Sequence, residues 1–117
     1  MLTKREQYGL TFTKWIEPES NELYNICSRD EVGVYSHLTF IRYISIGEAT
    51  SLIDEITNAL NGEYYDDCPS SDGYADISLE LSVPNVIIQE KLTVSMLDFK
   101  QLLEEWIDFI SIEPSQI

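Results

Sequence analysis

Residues 76–110 read DISLELSVPNVIIQEKLTVSMLDFKQLLEEWIDFI, and the period of the apolar positions changes part-way along. In 76–83, Ile77, Leu79, Leu81 and Val83 alternate strictly with Asp76, Ser78, Glu80 and Ser82. A period of two is a strand with one dry face, and here the wet face is acidic. Pro84-Asn85 predicts a turn. Val86, Ile88, Leu92 and Val94 continue an inner face, with Gln89 and Lys91 pointing out. From Ser95 the period lengthens. Met96, Phe99, Leu102, Leu103, Trp106 and Ile110 share one stripe of a helix running from about Ser95 to Ile110. Ser95 is its cap, and Asp98 suits the positive N-terminal end. Glu104, Glu105 and Asp108 crowd the far side.

Working back from that stretch, Ser45 and Glu48 make an S-x-x-E capping box. Ala49, Leu52, Ile53, Ile56 and Leu60 then mark one helical face, and Asn61-Gly62 stops it. Residues 63–74, EYYDDCPSSDGY, read as a loop. Towards the N-terminus, 8–16 (YGLTFTKWI) and 22–27 (ELYNIC) read as strands, and Ser28-Arg29-Asp30-Glu31 as a turn. Residues 32–44 carry a long strand pattern, with Leu38, Phe40 and Ile44 on one face and Thr39, Ile41 and Tyr43 on the other. The expected order is β-β-β-α-β-β-α. That is an α+β fold: a largely antiparallel sheet of about five strands with two helices on one face. No linker or repeat splits the chain, so residues 1–117 are expected to form a single domain, with a tail frayed from Ser111.

Charge is the most unusual property. From Tyr43 to Glu90 the chain has ten acidic residues and no Lys or Arg: Glu48, Asp54, Glu55, Glu63, Asp66, Asp67, Asp72, Asp76, Glu80 and Glu90. This stretch carries most of the formal net charge of −14. An apolar fraction of 44% with thirteen aromatics argues against disorder, so the charge sits on a folded surface. Such a field repels nucleic acid and anionic membrane and speeds encounter with a basic protein. No apolar run approaches the length of a membrane span, and Met1 to Gln7 lacks the character of a signal peptide. A cytoplasmic location follows as the expectation. Cys27 and Cys68 do not make a secreted disulfide framework; two reduced thiols are expected, with a single disulfide as the alternative.

Signs of catalysis are missing. His37 is the one histidine, and it has no close-spaced partner for a zinc site. Ser28, Ser70 and Ser71 are turn serines outside any nucleophile motif, and no glycine-rich phosphate loop occurs. The Asp66-Asp67…Asp72-Gly73 cluster invites a calcium reading. With Gly73 at position 6 of an EF-hand loop, however, Cys68 falls at position 1 and Leu79 at position 12, where carboxylates are required. An irregular Ca²⁺ or Mg²⁺ site is the alternative to a solvated acidic loop. We therefore expect no catalytic residue, no metal and no cofactor.

Tyrosine among acids is what stands out. Glu63-Tyr64-Tyr65-Asp66-Asp67 runs on to Asp72-Gly73-Tyr74-Ala75-Asp76 and to Glu80. Tyrosine offers rigid contact area, and carboxylates offer partners for Arg and Lys. Glu63, Tyr64, Tyr65, Asp66, Asp67, Asp72, Tyr74, Asp76 and Glu80 are thus the candidate partner-binding residues. The bland reading is that Tyr65 and Tyr74 plug the edge of the core while the acids keep the protein soluble.

In size, charge and architecture, and in EYYDDCPSSDGYADISLELSV followed by LDFKQLLEEWIDFI, the whole chain resembles bacterial immunity proteins of contact-dependent growth inhibition and other polymorphic toxin systems. The resemblance implies a cytoplasmic antidote, not an enzyme, that binds one cognate toxin domain. Many such toxins are nucleases with basic clefts, so the resemblance implies a nuclease inhibitor working by protein–protein interaction. A monomer is favoured, with neither nucleic acid nor membrane as partner. The alternatives are an acidic secretion chaperone of the type III class, whose usual long N-terminal amphipathic helix finds no match in Met1 to Gln7, and a nucleic-acid-mimic inhibitor.

Overall fold

The computed structural model describes residues 3–112. A short helix, α1 (Lys4–Gln7), is closed by a Thr3/Glu6 capping box. Strands β1 (Leu10–Ile16) and β2 (Leu23–Arg29) form an antiparallel hairpin in register from Leu10↔Arg29 to Ile16↔Leu23. A 3₁₀ helix over Val34–Tyr43 leads into α2 (Ile46–Leu60). After a 3₁₀ turn at Asp72–Tyr74 come β3 (Leu79–Ser82), β4 (Asn85–Ile88) and β5 (Leu92–Ser95), and the final helix α3 (Met96–Ile110). The class is α+β and every strand pairing is antiparallel.

The five strands make two sheets, β1-β2 and β3-β4-β5, and so the expected single sheet is corrected. One cause is residues 32–44, expected as a strand and found as the 3₁₀ helix. Their apolar positions fit two periods. Leu38, Phe40 and Ile44 match a period of two, but Leu38, Ile41 and Ile44 match the three-residue repeat of a 3₁₀ helix, in which i and i+3 eclipse. Ile41 is buried, although a strand would have turned it outward. The second correction is at 86–94. Gln89 and Glu90 both take positive φ, at 56° and 59°, and the chain reverses there into a β4–β5 hairpin. At the other end, β3 starts three residues later than expected, because Ile77 N–H bonds back to Tyr74 C=O at 3.0 Å and prolongs the turn.

Both long helices start where local chemistry places them. Ser45 and Glu48 close the α2 capping box, and Ser95 Oγ accepts the Asp98 N–H at 3.0 Å. Gly62, at φ +76°, ends the α2 segment. Ala49, Leu52, Ile56 and Ala59 of α2, and Met96, Phe99, Leu102, Leu103 and Trp106 of α3, are buried. α2 packs chiefly on α3, and α3 is the helix that meets β4 and β5. One continuous core joins them to Leu10, Phe12 and Cys27 of the hairpin and to the 3₁₀ helix. Trp106 lies at its centre: its indole N–H donates to Ile44 C=O at 2.9 Å, and Phe12 meets it edge-on at 4.9 Å.

The far side of α3 holds a further correction. Glu105 is half-buried, and its carboxylate accepts the Lys4 and Arg5 N–H groups at 2.9 and 3.1 Å, capping α1 from across the chain. Asp98 adds a bond from the Tyr8 hydroxyl at 2.7 Å and an ion pair with Lys4 at 3.0 Å. No helix among the described residues is long and apolar enough to cross a membrane. Residues 113–117 of the tail expected to fray lie outside the described residues.

Candidate partner-binding surface

The acidic segment is a shaped surface, tied down at both ends. Glu63 N–H bonds to Asn58 C=O at 2.8 Å, and Leu81 N–H bonds to Asp67 C=O at 2.8 Å, fastening the loop to α2 and to β3. Within it, Glu55 accepts the Asp66 N–H at 2.5 Å, and Asp66 accepts the Cys68 N–H at 3.0 Å. Pro69 is buried beneath the loop.

Glu48 is the main fastener. One carboxylate oxygen closes the capping box on Ser45 N–H at 2.9 Å. The other accepts the Gly73 N–H at 2.9 Å and a short bond from the Ser71 hydroxyl. The Ser71 hydroxyl and then the Ser45 N–H stabilise the anion and hold its pKa down to about 2. Gly73 is required by close approach: a β-carbon there would overlap the Glu48 carboxylate and the Tyr43 carbonyl. Between α2 and the loop lies a cavity of about 280 Å³, lined in part by Glu48, Glu55, Asp66, Ser51 and Ser71.

The candidate residues separate by burial. Tyr64 is 94% exposed and Tyr65 is half-buried against the core. Tyr74 is only 4% exposed and its ring packs against Phe40 at 6.3 Å, so for this residue the core reading holds and its ring offers no contact area. Glu63, Asp66, Asp67, Asp72, Asp76 and Glu80 are all exposed. Asp66, Asp67 and Glu80 lie close enough to the exposed Cys68 to bear on its thiol, which is raised by desolvation and then by their charges. Cys27, the other free thiol, is buried and pushed up to about 12 by that burial. Glu48, Glu55 and Glu90 belong to the same acidic surface, although the sequence reading places them only in the acidic stretch, and Glu48 in a capping box, and not among the candidate partner-binding residues. The signal available was their place in the one base-free stretch.

Chemically the surface is an array of acceptors. No group of three or more His, Cys, Asp or Glu among the described residues is arranged to hold a metal ion. His37, expected on a strand, sits half-buried in the 3₁₀ helix. The described residues contain two ion pairs, Lys4–Asp98 and Arg29–Glu31, and neither involves residues 43–90. The chain matches no family model, no curated protein and no solved structure.

Proposed function

We propose that this protein is a stoichiometric inhibitor of the immunity type, which binds a basic toxin domain through the acidic surface of α2, the 63–78 loop and β3. The observation that carries the reading is the unanswered charge. Ten acids between Tyr43 and Glu90 face no base of their own segment and enter no ion pair with a described base. A folded surface of one sign repels itself, and a basic partner relieves that repulsion. The bonds that fasten the loop support the same reading, since a surface ordered beforehand loses less entropy on binding. Tyr64 supplies an exposed aromatic anchor beside Asp66 and Asp67.

A nuclease cleft shaped for phosphates would accept these carboxylates in their place. The test is titration of purified basic toxin domains, beginning with any that the neighbouring reading frames encode, with residual toxin activity as the readout. A sharp end point at one equivalent is expected. Asp66→Lys with Asp67→Lys should weaken binding at least about tenfold, that is by 1.4 kcal/mol or more. Protection far below one equivalent would mean turnover and would overturn the proposal.

A further inference from the structure

The start of β2, the end of the 3₁₀ helix and the end of α3 leave a groove of about 420 Å³ between them. Its floor is apolar. Ile44 and Trp106 are buried there, and their N–H groups are already spent. The Trp106 indole N–H donates to Ile44 C=O at 2.9 Å, and the Ile44 N–H donates to Ile41 C=O at 2.9 Å. Its sides are apolar but open. Leu23, Tyr24 and Tyr43 are 39%, 41% and 61% exposed, and Ile110 is half-buried. Large side chains left open around a dry floor make a place for apolar groups from outside.

Arg42 is the one charged residue among the described residues that line the groove. Its guanidinium lies 5.4 Å from the Tyr43 ring centre. It forms neither an ion pair nor a hydrogen bond with a described residue. Arg29 shows the contrast: its guanidinium is answered by the Tyr8 and Glu31 carbonyls and by the Glu31 carboxylate. Two carboxylates touch wall residues of the groove from outside, and both are engaged. Glu22 accepts the Tyr24 hydroxyl at 2.7 Å, and Glu48 accepts the Ser45 N–H at 2.9 Å. Neither pairs with Arg42.

We propose that this groove docks a segment of a partner protein in which aliphatic side chains flank a carboxylate. The aliphatic groups lie on the Ile44 and Trp106 floor, and the carboxylate meets Arg42 at the rim. Charge complementarity selects the acid, because the groove offers one unanswered cation and no Asp or Glu among its described lining residues. A planar guanidinium can hold a carboxylate through two parallel N–H···O bonds. The open sides suit a protein segment, since a small molecule needs roughly 70–90% of its surface covered. The net charge of −14 opposes an acidic group only at long range, as salt at about 0.15 M screens it beyond about 8 Å. A second copy of the chain would instead bring the whole of that charge with it. The groove shares no residue with the 63–80 face, so the two proposals stand or fall separately.

The test titrates the ¹⁵N-labelled full chain with unlabelled peptides at about 0.15 M salt and follows the Trp106 indole N–H and the Tyr43 and Ile44 amides by NMR. The probe is acetyl-Gly-Leu-Glu-Leu-Gly-amide. Its controls carry Gln or Lys in place of Glu, or Ser in place of both Leu. The Glu peptide should shift these signals saturably and bind at least about threefold tighter than the Gln peptide. It should bind at least about tenfold tighter than the Ser peptide. Arg42→Glu should reverse the preference, so that the Lys peptide binds better than the Glu peptide, an exchange that loss of fold cannot produce. Asp66→Lys with Asp67→Lys should keep the Glu-to-Gln ratio of the parent. Equal binding of the Glu and Gln peptides, equal binding of the Leu and Ser peptides, or no saturable shift at these signals would overturn the proposal. So would a dimer in sedimentation that Arg42→Glu dissolves, which would assign the groove to a second copy. Tighter peptide binding by Glu113→Gln would overturn it too, by assigning the groove to residues 113–117 of the same chain.

Discussion

Replacing Glu48 with Gln removes one charge and leaves the side chain nearly the same size. The carboxylate accepts from three donors, the Ser45 N–H, the Gly73 N–H and the Ser71 hydroxyl. An amide has one acceptor oxygen, so its NH₂ must face a donor at Ser45 or at Gly73. The size of the effect follows from the pKa. The carboxyl is held from an ordinary 4.5 down to about 2, which unscreened corresponds to about 3 kcal/mol. Glu48 is only partly shielded from water, and screening reduces the expected contribution to about 1–2 kcal/mol. The sign is fixed by the direction of the shift. A carboxyl whose folded-state pKa is depressed stabilises fully above its unfolded value, so the contribution is complete from about pH 5 upward. It falls away as the pH drops towards 2, with more than half gone by about pH 3. Urea midpoints of the parent and Glu48→Gln proteins should therefore differ by roughly 0.5–1 M at neutral pH and converge in acid. The other carboxylates titrate in both proteins and cancel in the difference. A gap of the same size at pH 7 and pH 3, or no gap at pH 7, would refute the account of Glu48 as the ionised fastener of the loop.

Gly73→Ala should cost about 1–3 kcal/mol by thermal or urea unfolding, since the new methyl displaces the Glu48 carboxylate or the Tyr43 carbonyl, and it should loosen the 63–78 loop in amide exchange. Changing Gln89-Glu90 to Asn-Gly should stabilise by about 1 kcal/mol, raising the melting temperature by a few degrees, because both positions hold positive φ. Trp106→Ala should destabilise by about 3–5 kcal/mol, the largest loss of this set, as it empties the core and orphans the Ile44 carbonyl. Cys68 should react with a thiol reagent in the folded protein while Cys27 reacts only on unfolding, as followed by mass spectrometry, because Cys68 is exposed and Cys27 buried.

The residues that could be read in advance are those whose partners are near in sequence. The S-x-x-E box starting α2 joins Ser45 to Glu48, three residues apart, and the structure keeps both bonds. The α3 stripe and its Ser95 cap are local in the same sense, as is the alternation of Leu79 to Ser82. The excess of acid is a property of composition and needs no fold to be seen. Residues 34–43 were not legible, because Leu38 and Ile44 satisfy a period of two and a period of three together, and burial of Ile41 is what separates them. Gln89-Glu90 gave no turn signal, since neither residue favours the left-handed region that the β4–β5 reversal imposes.

The candidate surface divides along the same line. Which stretch is acidic and tyrosine-bearing was written in the sequence. That Tyr64 faces water while Tyr74 packs on Phe40 depends on the 3₁₀ helix that carries Phe40, thirty-four residues away in the chain. Glu48 reaches Gly73 across twenty-five residues, and Glu105 caps α1 across a hundred. Sequence alone thus determined the two long helices, the β3 strand and the sign of the surface, because caps, periodicity and charge are local or additive. Tertiary packing alone decided the two-sheet division, the inward tyrosine and the fastening of the acidic loop, because each depends on groups that meet only once the chain has closed on its core.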